Sequence, residues 1–213
     1  MLGQAQALAY AQADFEEPHS ACVRLFQEKL GSAAVHGALW DVGCGPGDIT
    51  LRLAETFPDL RVDGVDGSPA MLSLAQAALV RRPQLVDRVR FFEGIIPEVV
   101  PPESAYGFMF SNSLLHHLPD PTVLWVTIRR YGLPGCRVFV HDLRRPAAED
   151  EAQALVDQYS VGEPEVLRND FYNSLLAAFT PEEIQTQLAQ VGLDGLAVEA
   201  QGDRHVAVYG RLA

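Results

Sequence analysis

The stretch "WDVGCGPGDIT", Trp40 to Thr50, decides how this chain folds. An apolar run ends in an aspartate, Asp41, and glycines follow at alternate positions, Gly43, Gly45 and Gly47. A segment with Ile49, Leu53 and Phe57 on one helical face comes directly after. Apolar run, glycine turn and 3.6-residue period read as strand, loop and helix. Such loops clear space for a nucleotide to lie against bare backbone. A pyrophosphate site needs G-x-G-x-x-G, with the phosphates on the helix N-terminus. Counting from Gly43 meets Asp48 where the third glycine belongs, and counting from Gly45 meets Thr50. Asp41 at the strand end and Asp48 at the helix start would both repel phosphate. The loop therefore reads as a site for a phosphate-free nucleoside with a cationic centre.

Outward from the loop, short apolar runs alternate with amphipathic stretches, as in a parallel sheet wrapped by helices. Strands are expected near Ala38–Val42, Arg61–Val65, Val89–Phe92, Phe108–Phe110 and Arg137–His141. One helix opens at Ser68 as N-cap with Pro69 in its first turn, and another at Asp120-Pro121, running to about Tyr131. Two helices precede the sheet, Leu2–Ala13 and Ser20–Leu30, the second stopped by Gly31. Thr180-Pro181-Glu182-Glu183 forms a capping box for a helix that carries Ile184, Leu188 and Val191. Two last strands, Ala197–Ala200 and Val206–Tyr209, flank the hairpin turn "QGDR". Arg144–Phe179 is additional material with helices on either side of Gly162 and Pro164.

The acidic residue and G-x-G-x-G of Asp41, Gly43, Gly45 and Gly47 resemble the first motif of the class I S-adenosylmethionine-dependent methyltransferases. Asp66 ends the second strand 19 residues beyond Gly47, where that family carries its ribose-binding carboxylate. The alternative for Asp66 is a loop carboxylate capping the Ser68 helix. "VRFFEGIIPE" and "FMFSNSLLHHLPDP" resemble the family's later segments, and the likeness runs from about Tyr10 to Arg211. It implies an α/β Rossmann-like, mostly parallel seven-stranded sheet with helices on both faces, an antiparallel last strand and a helical lid insertion. It implies S-adenosylmethionine as cofactor, S-adenosylhomocysteine as product, and no metal. One methyltransferase domain would fill 1–213: N-terminal helices over 1–36, the cofactor core over 37–143, an acceptor lid over 144–179, and the last helix and strands over 180–213.

Cofactor contacts implied by the resemblance start with Asp41, Gly43, Cys44 and Gly45 at the loop. Asp66, Gly67, Ser68 and Met71 follow, Met71 towards the adenine. Gly94, Ile95 and Ile96 would close around that ring; Ile95 stands where the family often has an acidic residue, leaving the amino group to a backbone carbonyl or Glu93. Ser111, Asn112 and Ser113 lie at the strand end where the transferable methyl would face its acceptor. Tyr10 would fold over the methionine end, unless its segment is an ordinary amphipathic helix. Asp63 is read as a surface carboxylate.

Methyl transfer needs a base only when the acceptor arrives protonated. His116 and His117 are the first choices, with one facing the pocket and the other packing. His141-Asp142 is a second pair, or a capping pair at the strand end. Tyr159, Arg168, Phe171, Tyr172 and Asn173 offer lid walls, although Phe171, Leu175, Leu176 and Phe179 also fit a helix packing on core. Arg204-His205 lie between the last strands and approach the lid.

Composition narrows the partner. With 16 basic against 28 acidic residues the net charge is −12, which disfavours a polyanion because phosphate neutralisation needs a basic footprint. "SNSL" also replaces the Asn/Asp-Pro-Pro-aromatic motif of base methylation. The expected acceptor is a small molecule, with no nucleic acid or membrane partner, and the chain a monomer or homodimer. The first basic residue is Arg24 and no apolar run spans a bilayer, so neither a secretory signal nor an anchor is expected. Cys22, Cys44 and Cys136 lack metal-ligand or disulfide spacing, which suits the cytoplasm. Alternatives are a cofactor-binding partner protein without turnover, an RNA or protein methyltransferase, and, last, a nicotinamide dehydrogenase.

Overall fold

A computed structural model describes residues 16–30 and 35–213. The expected helix Leu2–Ala13, Tyr10 and the stop at Gly31 lie outside the described residues.

Seven strands form one sheet: β1 (Gly37–Val42), β2 (Leu60–Asp66), β3 (Val89–Glu93), β4 (Tyr106–Asn112), β5 (Gly132–Leu143), β6 (Ala197–Gln201) and β7 (His205–Arg211), in the order β3-β2-β1-β4-β5-β7-β6. The first five run parallel. The last, β7, enters antiparallel to β5 and pairs antiparallel with β6, as a hairpin around Gly202 must. The strand order reverses between β1 and β4. At such a switch point the connections leave in opposite directions and open a crevice at the carboxyl ends of the strands.

The helices are α1 (Glu16–Leu30), α2 (Asp48–Thr56), α3 (Pro69–Val80), α4 (Thr122–Tyr131), α5 (Glu149–Tyr159), α6 (Glu165–Ala177) and α7 (Pro181–Gln190). Alternation along the strands divides the core. Leu39, Val62, Phe108, Phe110 and Phe139 meet Phe26 of α1, Leu51 and Leu53 of α2 and Leu79 of α3 on one face. Trp40, Val42, Met109, Val138 and Val140 meet Leu124, Trp125 and Ile128 of α4 and Ile184 and Leu188 of α7 on the other. Strands apolar on both sides are what a parallel sheet covered on both faces requires.

Local rules fix the helix starts. The Ser68 hydroxyl accepts from the Met71 amide at 3.4 Å with Pro69 next. Thr180 and Glu183 form the reciprocal capping box. Asp120 accepts from the Thr122 amide and hydroxyl ahead of α4. α1 begins four residues earlier than its expected start, where Glu16 and Ser20 take the Arg52 guanidinium of α2. Between β5 and α7 the insertion builds a small core of its own: Ala152, Val156 and Leu175, with Leu155, Phe171, Tyr172 and Leu176 against Leu143. The aromatic residues expected as lid walls are thus partly spent on packing, as the helical reading of that segment requires.

Two sequence expectations are corrected. Asp63 is 2% exposed, not a surface residue. The parallel register sets it beside Arg90, whose guanidinium forks onto both carboxylate oxygens at 2.6 and 2.8 Å, and the Tyr106 hydroxyl donates to it at 2.7 Å. Asp48 does not face the glycine loop: it accepts from Arg52 at 2.7 Å and pairs with His19 at 2.8 Å. Burial raises its pKa, but those two partners outweigh burial and bring it down to about 2.

Candidate cofactor and acceptor site

At the switch point the loop between β1 and α2 turns in three left-handed steps, with φ of 79°, 53° and 80° at Gly43, Gly45 and Gly47. Two of these glycines serve packing. A Cβ on Gly47 would sit 2.6 Å from the Phe91 ring, and one on Gly43 would sit 2.9 Å from Leu114. Gly45 differs, since a Cβ there would meet nothing within 4 Å. Its bare backbone faces open space, which is the cradle that a flat ligand would fill.

The loop amides are already engaged. Those of Gly43 and Cys44 donate to the Val65 carbonyl, that of Gly47 to the Cys44 carbonyl, and that of Gly45 to Asp66 Oδ2 at 2.9 Å. A phosphate cradle needs such amides free and pointing at the ligand. The charges around the loop are Asp66, at the tip of β2, and Asp41, near the end of β1. Asp66 also accepts from the Ser68 amide at 2.8 Å, so both the loop and the α3 entrance orient its carboxylate. The capping alternative and the ligand-facing reading coexist in that geometry. Asp41 is fully buried, and Thr50 Oγ1, at 2.5 Å, is its hydrogen-bond donor among the described residues. Burial, opposed by Thr50 and reinforced by Asp66, pushes its carboxyl up to about 7. A buried carboxylate with one donor keeps acceptor capacity and negative potential that a nearby cation would answer. Two carboxylates and engaged amides fit a cationic, phosphate-free nucleoside.

The remaining expected contacts divide by burial. Ile95 is 64% exposed and leans on Gly67, whose Cβ would lie 3.1 Å from it, while Ile96 packs partly into the core. Gly94 donates its amide to the Asp66 carbonyl and admits Val99 where a side chain would stand. Met71 and Cys44 are buried, so their side chains offer a ligand little surface. The Ser111 hydroxyl is buried and donates to the Val42 carbonyl at 2.7 Å, joining β1 to β4 beneath the crevice. Asn112 Oδ1 accepts from Cys22 and lies 2.9 Å from His141 Nδ1, while its amide donates to Ser113. Ser113 has φ 55°, a left-handed conformation rare outside glycine. Strain at the carboxyl end of a central strand is a frequent mark of a working site.

The histidines are paired differently from the sequence expectation. Side chains alternate along β5, so His141 and Asp142 leave on opposite faces and form no pair. His141 stacks on His205 at 4.7 Å, and burial brings these rings to pKa values of about 4 and about 3. Asp142 instead meets His116, Oδ1 to Nδ1 at 2.5 Å, and accepts the amides of Leu115 and Leu143 at 2.7 and 2.8 Å. Burial alone would raise the Asp142 carboxyl, but His116 and those amides hold it below the usual range. The His117 ring packs against that of His116, centroids 4.0 Å apart and tilted by 43°. Partial burial, then the neighbouring imidazole, lowers it to about 4. Sequence spacing alone could not reveal a His116–Asp142 contact across 26 positions. The clue was a carboxylate at one strand tip with a histidine just past the next.

Comparison with known proteins agrees with this geometry. Residues 40–138 match a family model described as "Methyltransferase domain". Over 121 residues, 57% of this chain, the sequence is 32% identical to a trans-aconitate 2-methyltransferase of Deinococcus radiodurans, and the aligned stretch covers 43% of that protein. The chain thus spans less than half the length of that curated relative. A crystal structure of an S-adenosylmethionine-dependent methyltransferase from Aquifex aeolicus shares the fold over 100% of both chains, with TM-score 0.70 at 14% identity. The plantazolicin methyltransferase BpumL, solved with S-adenosylhomocysteine and a triazolic desmethylplantazolicin analogue, shares it over 99% of this chain and 90% of its own, with TM-score 0.73 at 13% identity. The matched segment over residues 40–138, the sheet order and the acid-flanked glycine loop with its amides engaged make this chain similar to methyltransferases in its central part, and it shares the fold of S-adenosylmethionine-dependent methyltransferases along its length.

Proposed function

We propose that the protein moves a methyl group from S-adenosylmethionine to a small-molecule acceptor. The observation that carries this reading is the open backbone at Gly45, set between Asp41 and Asp66. Asp66, held by the Gly45 and Ser68 amides, keeps lone pairs for the ribose hydroxyls. Asp41, buried beneath the loop, supplies negative charge to the α-ammonium group through an intervening water rather than by direct contact. Gly67, Ile95 and Ile96 make the apolar rim for the adenine, and Gly94 sets their spacing. Asn112 and Ser113 bound the crevice on the acceptor side, where the 144–179 insertion acts as lid.

The bound cofactor brings a methyl group already activated on a sulfonium. The protein's part is to align the acceptor and keep water out, positioning worth about 7–11 kcal/mol of barrier. The net charge of −12 supports a small acceptor over a nucleic acid. Curated relatives with the printed activity trans-aconitate 2-methylation support a small acceptor too, yet the similarity spans only part of those proteins.

The test is Gly45→Asn. Asparagine tolerates a left-handed backbone better than other side chains and would project into the space assigned to the cofactor. Calorimetry should show S-adenosylhomocysteine affinity falling by more than tenfold while the thermal midpoint moves by no more than a few degrees. Undiminished affinity in a folded variant would place the ligand elsewhere.

A further inference from the structure

Where α1 crosses the ends of β4 and β5, a row of polar side chains has a single direction of donation. Cys22 of α1 donates its thiol to Asn112 Oδ1 at 3.3 Å, and His141 Nδ1 lies 2.9 Å from the same oxygen. An amide oxygen with the thiol on one lone pair takes an imidazole N–H on the other, so His141 carries its proton on Nδ1. Burial brings that ring to about 4, which leaves it neutral at pH 7. The Asn112 amide nitrogen then donates to Ser113 Oγ at 3.1 Å, and the Ser113 backbone amide donates to the His141 carbonyl at 2.9 Å. Two tethers thus hold Ser113 at φ 55°. Every other left-handed position among the described residues is a glycine. With Asn112 on its oxygen, the Ser113 hydroxyl hydrogen has no acceptor among the described residues, and neither has the second hydrogen of the Asn112 amide. Both residues are part-exposed, and Leu114, next in the chain, touches the glycine loop at Gly43. Beside the cofactor loop the crevice wall therefore presents two donor hydrogens.

We propose that Ser113, held by Asn112, is a specificity-determining residue whose hydroxyl donates to the methyl acceptor, and that the acceptor carries a carbonyl or carboxylate oxygen beside the atom that is methylated. This deepens the methyl-transfer reading and rests on it. An oxygen that meets both hydrogens fixes the ligand sideways and leaves its nucleophile to face the sulfonium. A ligand without that oxygen strands two donors against an apolar surface, the kind of loss that gives strong discrimination. Backbone strain points the same way. A turn needed only to redirect the chain is made at least cost by glycine, as at the other left-handed positions. Serine here adds strain and gains one thing, a hydroxyl aimed by Asn112. Asn112 is the positioning residue, and Cys22 and His141 fix which way round its amide stands.

The experiment follows S-adenosylhomocysteine formation with paired probes that differ in an oxygen beside the nucleophile: 2-hydroxybenzoate and phenol, 2-aminobenzoate and aniline, glycolate and ethanol. In wild type the oxygen-bearing member should have the higher kcat/KM, by about tenfold or more, as loss of a hydrogen bond in a half-buried site implies. Ser113→Ala and Ser113→Gly should bring that ratio to about threefold or less, mainly through KM, while the Kd for S-adenosylhomocysteine moves by less than about threefold. Ser113→Gly should in addition raise the thermal midpoint by about 2–4 °C, because glycine relieves the left-handed strain. A glycine variant that is more stable and keeps the preference would make the turn purely structural and overturn the proposal. Equal kcat/KM within every pair, or no turnover of any probe, would overturn it too. Spectra of 15N-histidine-labelled wild type should show the His141 proton on Nδ1; a proton on Nε2 would reverse the Asn112 amide, turn the Ser113 hydrogen inward and sink the assignment. Wild type that takes up no S-adenosylhomocysteine in calorimetry would instead refute the cofactor reading.

Discussion

Asp41 is where burial and binding oppose each other most directly. Its carboxyl stands at about 7 in the folded chain against an ordinary 3.8, because burial disfavours the charge. The folded state therefore holds a proton that the unfolded chain has lost. The stability from that difference is complete below about pH 4 and disappears as pH rises through 7. Asp41→Asn removes the difference, so relative to wild type its stability should climb between pH 5 and 8. At ~1.4 kcal/mol per unit the gain is about 2–4 kcal/mol, read from urea denaturation at the two pH values. An α-ammonium group beside Asp41 favours the ionised carboxylate, so binding should expel a proton. S-adenosylhomocysteine affinity should then rise from pH 6 to 8 in wild type and be weaker and flatter in Asp41→Asn. At Asp66 the arithmetic is simpler. Asp66→Ala removes the anchor of the Gly45 amide and, under the proposed function, the charge-assisted hydrogen bonds to the ribose. Calorimetry should show a loss of about 2–4 kcal/mol, and unchanged affinity would remove its ribose role.

Elements are joined here by buried polar contacts as well as by apolar packing. Asp63 joins β2 to Arg90 of β3 and to Tyr106 at the start of β4. Asp63→Ala leaves the buried Tyr106 hydroxyl without its acceptor and the half-exposed Arg90 guanidinium with Glu103 as its partner, and should cost about 2–4 kcal/mol in denaturant unfolding. The Kd for S-adenosylhomocysteine should stay within twofold. The same contact marks where sequence reading stops. The glycine loop, the Ser68 cap and the Thr180 box are written in consecutive residues, and the structure keeps all of them. Asp63 looked like a surface residue because nothing local announces Arg90, which becomes its neighbour only through parallel register. His141 and Asp142, adjacent in sequence, were expected as a pair and point to opposite sides of β5. Asp48 next to the glycines was expected to shape the loop's charge, but α1 brings His19 onto it and Arg52 follows one turn later. In each case a partner brought in by the fold decided the role. Residue type did not.

Across the whole molecule, the proposed function puts cofactor and acceptor duties on different parts of one sheet edge. The carboxyl ends of β1 and β2 carry the loop and its two acids, while β4 and β5 carry Asn112, Ser113 and His141. The insertion is fastened at its far end as well: the Tyr159 hydroxyl donates to Asp203 at 2.6 Å, and the Arg204 guanidinium lies 3.3 Å from the Tyr159 ring centroid. Tyr159→Phe should leave global stability within about 1 kcal/mol, since this contact is exposed. Amide exchange in α5 should quicken several-fold, and an insertion that ignored the change would not be held by the hairpin. None of these roles survives if the loop takes a different ligand. The deciding measurement is calorimetric titration of the wild-type protein, side by side, with S-adenosylhomocysteine and with NAD. Saturable one-to-one heat with S-adenosylhomocysteine and none with NAD is the predicted result; uptake of NAD with indifference to S-adenosylhomocysteine would contradict the account.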